Sequence, residues 1–147
     1  MDDESKSLQA EIGRISERLG VPSIPVGRRT DDGLNIYIDE DGSYHFAYFD
    51  RGKLHLDRVG DLDDVLYWYC GGLASRQASK YVGDSRQSFI YQYEVLSKFN
   101  IDWAKRQVRE TAAMFRNGQP EDIGLLLDIG EPLWVGCQPQ RTSVACL

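Results

Sequence analysis

Two histidines, three cysteines and 23 carboxylates are the side chains from which this 147-residue chain could build a reactive centre. His45 and His55 lie ten residues apart. On neighbouring strands they could meet and share a metal or a proton-transfer role, although two histidines on a half-exposed sheet are more often plain surface residues. Cys70, Cys137 and Cys146 are odd in number and contain no C-x-x-C pair, which speaks against a zinc or disulfide framework. Adjacent acids at Asp31 and Asp32, and at Asp63 and Asp64, have the residue types of an acid-base pair, but in loops and helix caps such neighbours are mostly solvated. No phosphate-binding glycine loop, dinucleotide fingerprint, nucleophile elbow or H-E-x-x-H helix occurs. The chemistry expected is therefore none: no catalytic residues, no metal, no cofactor.

The chain has a formal net charge of -6, unevenly spread. Residues 31–64 hold ten acids against three bases, whereas residues 65–117 hold four acids against eight bases. Arg76, Lys80, Arg86, Lys98, Lys105, Arg106 and Arg109 make the second segment basic. These cations are read as balancing the acidic segment within one fold rather than as a nucleic-acid patch. An acidic protein is repelled by nucleic acid and anionic membranes and attracted to a basic protein. No apolar run reaches the ~18 residues that span a bilayer, and the start MDDESKSLQ is acidic where a signal peptide is basic. The expected location is the cytoplasm.

Elements to position these groups follow from periodicity. Within residues 4–19, Leu8, Ile12, Ile15 and Leu19 recur at helical spacing, and Gly20 and Pro22 end the pattern. Residues 34–58 switch to a period of two. Leu34, Ile36 and Ile38, then Tyr44, Phe46 and Tyr48, then Leu54 and Leu56 alternate with more polar neighbours, separated by the turns DEDG and DRG. That is a three-stranded antiparallel meander, which needs helices over a face to be stable. Asp61 reads as the N-cap of a helix reaching about residue 82, a further helix starts near Arg86, and Asp102 reads as the N-cap of the last long helix, ending at Asn117 and Gly118. In the tail, DIGLLLDIG and PLWVG have the character of a short helix or strand, and TSVACL that of a frayed end. The expected fold class is α+β in one domain, residues 1–147: an N-terminal helix (1–20), a β-meander (34–58), a bundle of about three helices on one sheet face (61–117) and an irregular tail (118–147).

The stretch DLDDVLYWYCGGLASRQAS puts two glycines where a helix should be strongest. At about 100° per residue, Leu62, Val65, Leu66, Tyr69, Cys70 and Leu73 share one face, while Trp68, Gly72, Ser75 and Ser79 lie nearly opposite with Gly71 beside them. Glycine in a helix interior costs roughly 1 kcal/mol relative to alanine, so a compensating close contact is expected along this lane. The favoured reading is a helix from near Arg86 lying in it; an open groove and a kink at Gly71 and Gly72 are the alternatives.

A leading helix ending in LGVP, a hairpin region, DLDDVLYWYCGGL and then RQSFIYQYEVLSKFNIDWAKRQVRETAAMF together resemble the bacterial immunity protein 63 family. The similarity covers about residues 8–115 and is most specific at Asp61, Leu62, Leu66, Tyr67, Trp68, Phe89, Leu96 and Trp103. What it implies is an immunity protein of a polymorphic toxin system, encoded beside its toxin and neutralising it by stoichiometric binding, with no catalytic residues to carry over. Cys70, Gly71 and Gly72 depart from the family pattern. Because many intracellular toxins are basic, the acidic loop and hairpin are the expected interface: Asp31, Asp32, Tyr37, Asp39, Glu40, Asp41 and Asp50. A homo-oligomer is left open. The alternatives are a small enzyme that reverses a toxin's modification and a nucleic-acid or adaptor module, the latter recognisable by binding that weakens steeply with salt.

Overall fold

The first helix, α1 (Asp3–Leu19), starts where Asp2 accepts a hydrogen bond from the Ser5 N–H at 2.7 Å and places Asp3 and Glu4 at the positive end of the helix dipole. It stops at Gly20, whose φ of 70° lets its N–H reach the Glu17 carbonyl while the Val21 N–H reaches that of Ser16. The structure, a computed structural model, describes residues 2–27 and 32–133. Leu8, Ile12 and Ile15 are buried as their spacing predicts. The fourth buried position is Ser16 rather than Leu19; its hydroxyl donates to the Ile12 carbonyl and receives the Tyr69 hydroxyl, both at 2.7 Å, so the polar atom is satisfied inside the core. After α1 the chain is tied down by Gln9, whose side-chain amide donates to the Ile24 carbonyl and accepts the Val26 N–H.

Strands β1 (Gly33–Ile38), β2 (Tyr44–Asp50) and β3 (Lys53–Gly60) form an antiparallel sheet in that order. The register sets Ile36 against Phe46 and Tyr37 against His45, then Ala47 against Asp57 and Tyr48 against Leu56. Burial reaches both faces of β1 and β2: Ile36 on one, Asn35, Tyr37, Ala47 and Phe49 on the other. In β3, by contrast, every residue from 53 to 59 is exposed. Its apolar alternation is that of a half-buried strand, but β3 is an edge strand that, unlike the other edge, β1, is not covered, and a bulge between Tyr48 and Phe49 bends its pairing.

Helix α2 (Leu62–Tyr81) is entered through a reciprocal cap in which Asp61 Oδ1 accepts the Asp64 N–H at 2.9 Å and Asp64 Oδ2 accepts the Asp61 N–H at 3.1 Å. The helix continues through Gly71 and Gly72. Its buried set is wider than one stripe: Val65, Leu66, Tyr69, Cys70 and Leu73 on the expected face, extended by Tyr67, Ala74 and Ala78. The small-residue lane is on the solvent side, which corrects the expected close helix contact. Gly72, Ser75 and Ser79 are exposed, and a Cβ on Gly72 would meet nothing within 4 Å. Apolar burial on the other two-thirds of the helix thus outweighs the backbone cost of the glycines, about 1 kcal/mol each.

Helices α3 (Ser85–Phe99) and α4 (Ile101–Gly118) follow, then a 3-10 helix at Pro120–Leu125. Asp84 caps α3 by accepting the Gln87 N–H. The cap of α4 is Asn100, not Asp102. In an extended conformation Asn100 donates its N–H to Leu96, closing α3, and its Oδ1 accepts the Asp102 N–H at 2.9 Å, opening α4. One residue thereby ends one helix and begins the next. Val108, Ala112 and Phe115 of α4 pack with Ile123 and Leu126, joined by Phe89 and Tyr93 of α3. The chain divides into two compact units, one up to Leu73 and one from Ala74 onward. An α+β fold of one helix, a three-stranded antiparallel sheet and further helices is thus what the sequence encodes. PLWVG lies largely, and TSVACL, Cys137 and Cys146 entirely, outside the described residues.

Candidate functional site

The acidic turn between β1 and β2 is organised by its own side chains. The Asp39 N–H donates to the Ser43 carbonyl, and Gly42, with φ 85°, donates its N–H to the Asp39 carbonyl. Asp39 Oδ1 accepts the Glu40 N–H at 2.9 Å. Asp41 Oδ1 accepts the Ser43 hydroxyl at 2.6 Å and the Ser43 N–H at 3.0 Å. These two bonds, the hydroxyl's first, hold the Asp41 carboxyl below its ordinary value. Asp39, Glu40 and Asp41 are all exposed. Three consecutive carboxylates therefore stand on a turn that is already folded around them.

Behind that turn sits His45, nearly buried. The Tyr37 ring stacks on it, centroids 4.7 Å apart and planes 7° from parallel. His45 Nδ1 lies 2.9 Å from Asp57 Oδ1 and 3.2 Å from Oδ2; Nε2 lies 2.9 Å from Ser43 Oγ and 3.6 Å from Asp39 Oδ2. Since a carboxylate only accepts, Nδ1 is the nitrogen that carries hydrogen toward Asp57. The order hydroxyl, imidazole, carboxylate is one that can activate a serine. Here, however, Asp41 also claims the Ser43 proton at 2.6 Å, so the network ties the hairpin together rather than freeing a nucleophile.

At the other end of the sheet, Arg51 (φ 54°) and Gly52 (φ 77°) form the two-residue turn between β2 and β3. Asp32 Oδ1 accepts the Gly52 N–H at 3.1 Å, and Asp50 Oδ2 lies 3.8 Å from His55 Nε2. Each histidine therefore has its own carboxylate, and the two do not share a site. Among the described residues no group of three or more His, Cys, Asp or Glu is arranged to hold a metal ion. Cys70 is buried in α2; burial pushes its thiol up to about 12 against the pull of Arg18 and Arg14, which leaves it protonated and unreactive.

The expected interface residues thus fall into two groups. Tyr37, Asp39, Glu40 and Asp41 gather at one end of the sheet, and Asp32 and Asp50 at the other, a strand's length of roughly 20 Å away. Asp31 lies outside the described residues. Tyr37 is only 7% exposed, so it acts on the turn through His45 rather than offering a surface ring. The hub itself, His45 with Asp57, was not in the expected set. No spacing along the chain marks this pair, because it depends on the register: Asp57 faces Ala47 and Val59 faces His45, which makes His45 and Asp57 diagonal neighbours on one face.

Compared with known protein families, residues 40–113 match the family described as Immunity protein 63. The matched span begins in the acidic turn and ends within α4, covering β2, β3, α2 and α3 entirely. No curated protein and no solved structure matches the chain.

Proposed function

Because the chain belongs to the immunity protein 63 family, we propose that it neutralises a cognate bacterial toxin domain by binding it stoichiometrically, without turnover. Belonging to that family makes it a component of a toxin-immunity system whose partner is a protein. The finer reading is that the toxin is basic, that binding rather than catalysis protects the cell, and that this happens in the cytoplasm. One observation carries it: Asp39, Glu40 and Asp41 are exposed on a turn already held by the N–H groups of Asp39, Glu40, Gly42 and Ser43 and by the Ser43 hydroxyl. Carboxylates fixed in this way attract a basic surface without the entropy loss of ordering a loop.

The test is kinetic. Against the toxin domain encoded beside this chain's gene, a variant with Asp39→Lys, Glu40→Lys and Asp41→Lys associates about tenfold or more slowly at low salt and approaches the unmodified protein as salt screens both. An unchanged association rate at low salt removes this turn from the interface. Failure of the two proteins to co-purify removes the stoichiometric mechanism altogether.

A further inference from the structure

On one face of the sheet the side chains form rows across the strands: Leu34, Tyr48 and Leu56 in one, Ile36, Phe46 and Arg58 in the next. Burial falls off toward β3 along the second row, and in the first it is already lost at β2. Ile36 is fully buried and Phe46 partly, whereas Tyr48 is 50% and Leu56 41% exposed. Trp68 of α2 lies on the second row, meeting Phe46 edge-on at 6.0 Å and lying beneath the Arg58 guanidinium at 5.6 Å. Asp50 follows Tyr48 on the same face of β2 and is exposed. Tyrosine, tryptophan and arginine are the residue types that dominate binding energy at protein interfaces, and an apolar centre with a charged rim is how such interfaces are built.

We propose that this corner of the sheet, Tyr48, Leu56, Arg58 and Trp68 with Asp50 at its rim, is a second contact surface for the toxin domain. It rests on the stoichiometric-inhibitor reading and assigns a different task from that of the Asp39 turn: the turn speeds capture, and this corner slows release. The partner chemistry follows from the charges. Arg58, exposed and with its guanidinium carbon 5.6 Å from the indole centroid, suits a carboxylate, and Asp50, exposed with only a 3.8 Å approach from His55 Nε2, suits a cation, so the toxin meets this corner with an apolar patch bordered by both signs. A duplex or an anionic membrane is repelled by a chain of net charge -6. Extension of the sheet by a second copy is opposed by the bulge at Tyr48 and Phe49 and by Lys53 and Arg58 along β3.

Tyr48→Ser and Leu56→Lys, made singly, are compared with Tyr81→Ser and Met114→Ser, which alter large apolar side chains even more exposed, at 65% and 63%. The probe is the inactivated toxin domain encoded beside this chain's gene, with rates read by surface plasmon resonance. The two sheet variants release the toxin about tenfold or more faster with association little changed, and the two controls do not. Hydrogen exchange on the unmodified complex, which requires no variant to fold, shows added protection of residues 46–58. Normal release by both variants, or no added protection, overturns this surface while the inhibitor reading stands. A homodimer of the free protein that Leu56→Lys converts to monomer also overturns it, by giving the corner to a second copy. If the unmodified chain forms no complex, the inhibitor reading falls first.

Discussion

His45 shows how a residue unremarkable in sequence becomes a structural hub. Its ring is pinned on both nitrogens and on one face, by Asp57, Ser43 and Tyr37, and through Ser43 it reaches Asp41 in the exposed turn. Asp57→Asn replaces a charge-assisted bond with a neutral one and is expected to lower unfolding free energy by about 1 kcal/mol in urea titrations. Ser43→Ala removes the bond that most depresses the Asp41 carboxyl, so by NMR Asp41 titrates at higher pH in the variant. The sign for the intact protein follows from that direction. A lowered folded-state value means the contribution of Asp41 is present above its ordinary value of 3.8 and is lost as pH falls through the folded one. Cys70 supplies a residue-scale check on the core: with its thiol near 12 and buried, it resists alkylation at pH 8 until denaturant unfolds the chain. Rapid alkylation at Cys70 in the native protein, read by peptide mapping so that Cys137 and Cys146 are counted apart, would contradict that placement.

Two glycines separate what an element shows in sequence from what it hides. Gly72 lies inside α2 with open space beside it, so Gly72→Ala is expected to stabilise the protein by about 0.5–1 kcal/mol through helix propensity alone. Had a second helix lain against it, the same change would clash and destabilise. Gly60, at the end of β3, is the opposite case. A Cβ there would come within 2.8 Å of Asp64 Cβ and 2.5 Å of its Oδ2, the atom that caps the Asp61 N–H. Gly60→Ala therefore costs about 1 kcal/mol, read as a lower thermal midpoint, because the strand-to-helix cap must open. The start of α2 was legible from the Asp61 cap, and that of α1 to within a residue from periodicity alone, without its Asp2 cap. The α4 cap moved to Asn100 because Asn100 serves two helices at once, a constraint no single-helix pattern displays.

For the whole molecule, the consequence of sequence is electrostatic. Among the described residues, the acids of the loop and the two hairpin turns do not form one patch. The sheet sets Asp39, Glu40 and Asp41 at one end and Asp32 and Asp50 at the other, with Asp57 on the exposed β3 edge between them. If the toxin is captured through this field, the association rate of the unmodified protein falls steeply between low and physiological salt while the release rate changes little. Equal salt sensitivity of both rates would argue against steering.

Periodicity and capping are local, and so the sequence by itself determined the element order: a helix, a three-stranded meander, then helices, with the buried stripes of α1 and α2 largely named in advance. Family membership too was readable, from the aromatic run after Asp61 and the helices beyond it. Only the tertiary structure decided which face of α2 meets water, that β3 is an exposed edge, and that His45 finds Asp57. Exposure depends on what the rest of the chain places above a residue, and a diagonal contact depends on register, so neither is written in the spacing of neighbours along the chain.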